Sequence, residues 1–222
     1  MTKRFLLVAG NIGAGKTTLT ERLATRLGWE AGYETVSTNP FLADFYRDMK
    51  QWAFHLQVYF LGDRAEQHRR LAALPGSAIL DRSIYEDAHI FARALHAMGN
   101  MSEREYLAYR RAYDLVVESL PQPDLLIYLN ASVPVLLERI ASRGRDIESG
   151  IPADYLKLLE NYYQEWISGF DWCPVLTIPA DNLNFVTNEK HIAIIIERVM
   201  DKLAGKEQVV FPPELQNGAG QD

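Results

Sequence analysis

Apolar residues follow two rhythms along this chain. Short unbroken runs occur at Phe5-Leu6-Leu7-Val8-Ala9, Ser77-Ala78-Ile79-Leu80, Asp124-Leu125-Leu126-Ile127-Tyr128-Leu129 and Pro174 to Ile178. Their length and lack of polar interruption fit strands covered on both faces. A weaker run at residues 29–33 supplies another strand that ends at Glu34. The second rhythm is helical. Leu19, Leu23 and Leu27 recur every four residues, which gives a helix with one apolar face that Gly28 stops. Asn39 as an N-cap with Pro40 at the first helical position predicts a short helix through Tyr46. A long helix is predicted from Gln51 to Leu74, closed by Pro75-Gly76. Two capping boxes, Ser83-Ile84-Tyr85-Glu86 and Ser102-Glu103-Arg104-Glu105, open helices that run to Met98 and to Pro121. Further helices are predicted at 133–142, 153–168 and 189–203.

Strands alternating with helices predict an α/β fold, a parallel sheet with helices on both faces. Ligands in such sheets bind beyond the carboxyl ends of the strands. Gly10, Glu34 and Asp81 each stand at such an end.

The first of these ends carries a specific signal. Gly10-Asn11-Ile12-Gly13-Ala14-Gly15-Lys16-Thr17 is G-x-x-x-x-G-K-[ST], leaving a strand and entering a helix, with Thr18 following. The glycines let the backbone N–H groups point inward at a polyphosphate. Lys16 then reaches the β/γ-phosphates and the Thr17 hydroxyl can ligate Mg²⁺. The chain is thus expected to bind ATP, and the remaining polar positions bear on what receives the phosphate. Asp81 ends an apolar strand as a metal-organising acid does. Glu34 can accept the proton of an acceptor hydroxyl.

Arg139, Arg143 and Arg145 form R-x-x-x-R-G-R, a set suited to a lid, about residues 143–152, that closes over phosphates. Gln57 and Arg64 are seven apart on one helix face with Ala53 and Phe60, and Asp87 and Phe91 share a face of the next helix. Gln is able to pair with a base edge, and phenylalanines suit its flat faces.

Composition narrows the field. A length of 222 residues with 48% hydrophobic content fits a single domain over residues 1–205, followed by a tail at 206–222. In that tail Gln216 to Asp222 is expected to be disordered and Phe211-Pro212-Pro213 to dock on the body. A net charge of −6 argues against a nucleic-acid surface. Lys3-Arg4 and the apolar run after them are too short for a signal peptide, and no run approaches a membrane span, so a cytoplasmic protein is expected. The single cysteine, Cys173, excludes an internal disulfide and fits a reducing compartment. Its place at a strand start makes it a buried, inert thiol.

Taken in order, these stretches resemble the deoxynucleoside kinase family. The carriers are the Gly10–Thr17 loop, Asn39-Pro40-Phe41-Leu42 with Phe45-Tyr46, Trp52-Ala53-Phe54-His55-Leu56-Gln57, Asp81-Arg82-Ser83-Ile84-Tyr85-Glu86-Asp87, and Arg139 through Gly150. The likeness is greatest to its bacterial deoxyadenosine kinase branch. It implies a five-stranded parallel sheet in a three-layer phosphate-loop kinase fold, a homodimer, and transfer of phosphate from ATP, with Mg²⁺, to the 5′-hydroxyl of a purine deoxynucleoside.

It also implies roles. Glu34 matches the acid beside the 5′-hydroxyl and Arg82 the arginine that holds that acid. Asp81 matches an acid read either as metal organiser or as base. Gln57, Arg64 and Asp87 match the base-reading set, and Tyr46 and Glu148 the pair on the 3′-hydroxyl. Arg139, Arg143 and Arg145 match the lid. Thr35 stands where many members have proline. Adenine and guanine remain open, since a Gln amide can serve either. Two rival readings are a nucleoside monophosphate kinase of the thymidylate type and a nucleotide-dependent switch. The acid at Glu34 and the absence of an Asn-Lys-x-Asp motif argue against them.

Overall fold

The computed structural model describes residues 2–33, 39–144, 151–207 and 209–216. In chain order the elements are β1 (Phe5–Gly10), α1 (Lys16–Leu27), β2 (Glu30–Gly32), α2 (Leu42–Arg47), α3 (Met49–Ala73) and β3 (Ala78–Asp81). Next come α4 (Ile84–Glu86), a π-helical segment (Asp87–Ala92), α5 (Arg93–Ala97), α6 (Glu103–Glu118), β4 (Leu125–Asn130) and α7 (Val133–Arg143). The chain continues through α8 (Ala153–Ser168), β5 (Val175–Pro179), α9 (Glu189–Leu203) and α10 (Pro213–Gln216).

The strands form one parallel sheet in the order β2-β3-β1-β4-β5. Side chains alternate across it and feed two cores. Leu7, Ala9, Leu80, Leu126 and Tyr128 face α3, the π segment, α6 and α8. Leu6, Val8, Ile79, Ile127 and Leu129 face α1, α7 and α9. β1 is buried along its whole length because helices cover it on both sides, which is why it reads as an unbroken apolar run. This is the three-layer α/β arrangement expected from the sequence.

Register sets the site. Val8 pairs with Asp81 on one side and Ile127 on the other, so β3 ends beside the last residues of β1. The Arg82 N–H then donates to the Val8 carbonyl at 2.9 Å. β2 is shorter than the predicted 29–33, and Glu34 lies outside the described residues.

Several boundaries differ from prediction, each for a local reason. Asn39 does not cap α2: its Oδ1 accepts from the Phe41 N–H at 2.9 Å, a turn that delays the helix to Leu42. α3 starts two residues early because Asp48 caps it, accepting from the Gln51 N–H at 3.1 Å. α6 ends at Glu118, ahead of Pro121. The predicted 83–98 helix is α-helical at both ends and π-helical between. α10 was not predicted. Phe211 and Leu215 are buried against the second core, and the last six residues lie outside the described ones. Cys173 is partly buried, and burial pushes its thiol up to about 12, so it stays protonated and inert. No helix among the described residues is long and apolar enough to cross a membrane.

Candidate active site

At the end of β1 the chain turns on glycines with positive φ, 82° at Gly13 and 98° at Gly15. Neither position has room for a side chain. A Cβ at Gly13 would lie 2.9 Å from Ile140 Cγ1, and one at Gly15 2.9 Å from Phe185 Cζ. α1 begins directly afterwards, so its unpaired N–H groups face the hollow of the loop. Lys16 folds back over this hollow, its Nζ donating to the carbonyls of Gly10 at 2.8 Å and Asn11 at 3.0 Å. Thr17 Oγ1 donates to Asp81 Oδ2 at 2.6 Å, so hydroxyl and carboxylate stand side by side at the mouth.

Of the loop residues expected to hold ATP, Ile12, Gly13, Gly15, Lys16, Thr17 and Thr18 line the open cleft. The Asn11 side chain instead points into the protein, donating to the Leu156 carbonyl of α8 at 3.0 Å, and Ala14 is buried.

Arg139 and Arg143 project from the same side of α7 to the cleft wall. Arg139 is held by two carbonyls, Ala14 at 3.3 Å and Ala180 at 2.6 Å, and thus braces the phosphate loop. Burial lowers its pKa and the nearby Asp181 offsets that. Arg145 and Glu148 lie outside the described residues, as does Glu34.

The other end of the cleft is built from buried polar side chains. Arg64 Nε and Asp87 Oδ2 form an ion pair at 2.6 Å, the two side chains being 4% and 1% exposed. Gln57, two helix turns before Arg64, is equally buried, and its Oε1 has no hydrogen-bond partner among the described residues. Arg82 has φ 71°, a left-handed conformation that costs a non-glycine residue of order 1 kcal/mol or more. This twist follows β3 directly and precedes the Ser83 cap, and it lays the guanidinium 3.9 Å above the Phe91 ring. Phe60 carries Arg64 on its face at 4.7 Å. Phe45 and Tyr46 line the same cleft from α2.

Asp87 and Phe91, four residues apart on the π segment, both line the cleft. The whole cleft holds about 1230 Å³. That exceeds the roughly 300–1,000 Å³ of a usual single-ligand pocket.

Sequence reasoning missed several groups. Glu86 was visible as half of a capping box, and its Oε2 does accept from Ser83 N–H at 2.7 Å. Its Oε1 also accepts from the Gly10 N–H at 3.1 Å and from the Tyr163 hydroxyl at 2.6 Å, which ties the Arg82-Ser83 turn to the phosphate loop. No local pattern announces that link, because Glu86 and Tyr163 are far apart in sequence. Tyr155, and the loop from Asp181 to Thr187 after β5, also line the cleft.

The deoxynucleoside kinase family model matches residues 6–204. The chain is 39% identical over 196 residues to deoxyadenosine/deoxycytidine kinase of Bacillus subtilis, covering 87% of this chain and 90% of that one. It is 36% identical over 206 residues to a deoxyguanosine kinase of Lactobacillus acidophilus, covering 89% and 90%. A solved structure of deoxyadenosine kinase from M. mycoides with bound dATP superposes with a TM-score of 0.78 at 28% identity, covering 89% and 99%. The rival readings as a monophosphate kinase or a switch are set aside on this ground. A phosphate loop, an Asp-Arg-Ser turn and a buried polar pocket share one cleft, and by this architecture and these likenesses the chain belongs to the deoxynucleoside kinase family.

Proposed function

We propose that the chain transfers phosphate from ATP, with Mg²⁺, to the 5′-hydroxyl of a purine deoxynucleoside, deoxyadenosine being preferred. One juxtaposition carries this reading: Asp87, backed by its ion pair with Arg64, and Gln57 line the same cleft as the phosphate loop. Arg64 holds the Asp87 carboxylate, and with the Gln57 Oε1 this makes a surface of acceptors. Adenine offers an exocyclic amino group as donor. Guanine would set its O6 against the carboxylate. Cytosine offers an amino group too, and a relative is named deoxyadenosine/deoxycytidine kinase, so deoxycytidine is the second acceptor of choice.

At the other end Lys16 and the loop amides bind phosphate oxygens. Arg139 and Arg143, with Arg145, neutralise charge there. Thr17 and Asp81 give adjacent oxygen ligands, the donor type Mg²⁺ prefers, with phosphates and water completing the shell. When bound, the ion draws off charge that builds on the transferring phosphoryl group. Glu34 takes the 5′ proton, with Arg82 orienting it, while Tyr46 and Glu148 hold the 3′-hydroxyl. A cytoplasmic homodimer completes the reading, and sedimentation at micromolar concentration tests the dimer.

The decisive experiment is an acceptor screen with Mg²⁺ and ATP over the four deoxynucleosides and their ribose forms. The highest kcat/KM is expected on deoxyadenosine, with deoxycytidine next. A maximum on deoxyguanosine or thymidine overturns the proposed base preference.

A further inference from the structure

The two capping boxes of this chain differ in one respect. At Ser102–Glu105 the carboxylate uses a single oxygen. Its Oε2 accepts from the Ser102 N–H at 2.8 Å and from the Ser102 hydroxyl at 2.6 Å, and that hydroxyl accepts from the Glu105 N–H at 3.4 Å. Ser83–Glu86 makes the same three bonds, at 2.7, 2.9 and 3.4 Å. Opening the helix therefore needs only Oε2. The Oε1 of Glu86 is used elsewhere, on the Gly10 N–H at 3.1 Å and the Tyr163 hydroxyl at 2.6 Å. The β1–β3 ladder ends at Val8 and Asp81, so Gly10 lies beyond it, and the carboxylate bridges where the strands no longer pair. Gly10 is buried and Glu86 is 0% exposed, so a donor that loses this oxygen finds no water in its place.

We propose that Glu86 is a positioning residue, whose second oxygen holds the first residue of the phosphate loop against the turn that carries Asp81 and Arg82. A backbone N–H can only donate, and Glu86 faces one with each oxygen, Ser83 on one side and Gly10 on the other. A carboxylate accepts at both ends, an amide at one. Ser83 follows Arg82 directly, so holding the Ser83 N–H also holds the left-handed turn that lays the Arg82 guanidinium over Phe91. Gly10 opens the loop, and its carbonyl accepts from Lys16 Nζ at 2.8 Å. One carboxylate thus fixes the offset between the lysine side and the arginine side of the cleft. Phosphoryl transfer depends chiefly on how donor and acceptor are placed, and an error of about 1 Å can cost on the order of 10²-fold in rate.

The inference rests on the reading that ATP and a deoxynucleoside meet in this cleft. A wild type that transfers phosphate to no deoxynucleoside would sink that reading, whereas an active wild type with unaffected variants would sink only the role of Glu86. Glu86→Gln preserves the box, since glutamine serves at that position, and turns its amide nitrogen toward the Gly10 N–H. Its kcat on deoxyadenosine is expected to fall about 10–100-fold, with the KM for ATP and for the nucleoside within about threefold, a split that general loosening would not produce. Glu105→Gln makes the same exchange in a box without the second link, and should keep kcat within about twofold. In spectra of protein carrying isotope-labelled glycine, the wild-type Gly10 N–H signal should shift when saturating deoxyadenosine is added without nucleotide, because the turn reports to it through the carboxylate. That response should be lost in Glu86→Gln and kept in Glu105→Gln. The proposal is overturned if Glu86→Gln keeps kcat within about twofold of wild type, if its loss lies in the KM values alone, or if Glu105→Gln loses as much. A wild-type Gly10 signal that ignores deoxyadenosine also overturns it, and that spectrum decides alone if the variant does not fold.

Discussion

The two ends of the cleft are made of different material. The donor end is main chain: glycines at positive φ, the first amides of α1, and side chains such as Asn11 and Arg139 that fix the loop from behind. The acceptor end is side chain: Gln57, Arg64, Arg82 and Asp87, all withdrawn from water. Backbone amides recognise a polyphosphate whatever nucleoside it carries. Buried side chains do the opposite, because a ligand that leaves one unpaired forfeits its desolvation. On the proposed function, generic affinity and selectivity thus occupy opposite ends, and Glu86 links the two.

The sharpest way to break this division is at the junction, where a proton must leave the acceptor. Glu34→Gln is expected to lower kcat by about 10²–10⁴ with little change in nucleoside KM, in steady-state assays. Near-normal turnover in that variant, with a large loss in Asp81→Asn, would move the base to the donor end and give Asp81 both duties.

The next effect is on stability. Arg64→Met removes the guanidinium that faces the Asp87 carboxylate in a dry pocket, and should cost about 3–5 kcal/mol in urea unfolding. Arg47→Ala breaks the exposed pair with Asp44, 2.8 Å long, and should cost less than about 1 kcal/mol. Similar losses in the two variants would mean that the Arg64–Asp87 pair is not what holds the acceptor wall.

The donor end was far more legible in the sequence than the acceptor end, and the materials explain why. A loop whose function lies in its backbone must state its glycines at fixed spacing within one short stretch, so Gly10 to Thr17 announces itself. The sheet was equally plain, since β1 is apolar throughout and β4 is so up to Leu129. At the acceptor end, spacing placed Gln57 with Arg64 and Asp87 with Phe91, yet ion pairing between two helices is a tertiary fact that no spacing contains. The positive φ of Arg82 was invisible, because arginine gives no hint of a left-handed turn. So was the π segment, whose sequence reads as an ordinary helix. Glu86 was legible only for its local half. The roles given to Glu34, Arg145 and Glu148 fall on segments outside the described residues and rest on the family likeness.

A glycine pair sharpens the claim that the donor end is built from backbone. Gly15→Ala adds a Cβ at φ 98° that meets Phe185, whereas Gly28→Ala adds one at φ 67° with nothing within 4 Å. Both carry the left-handed penalty of roughly 1–2 kcal/mol. Only the first should also weaken ATP, by about tenfold or more in titration, because only there must the loop or Phe185 move. Equal ATP affinity in the two variants would show that the cradle tolerates a shift of its backbone.

The smallest effect concerns the back of the acceptor wall. His89, on the π segment, stacks against Trp166 at 6.3 Å between ring centres and meets Tyr113 edge-on at 5.7 Å. Burial, and then the charge of Arg110, bring its pKa down to about 4, with Asp114 opposing and Arg93 adding to the fall. The folded ring is therefore neutral where the unfolded one, near 6.5, takes a proton. Between those values the unfolded chain binds more protons, so stability is full above pH 6.5 and declines as pH falls toward 4. A loss of about 1–2 kcal/mol is expected between pH 7 and 4.5, less than the full shift implies because part of the ring sees solvent. Urea unfolding of the wild type and His89→Gln across that range measures it. The two curves should converge in acid, and a constant gap between them would mean that the π segment is held by packing alone, with no contribution from keeping that ring uncharged.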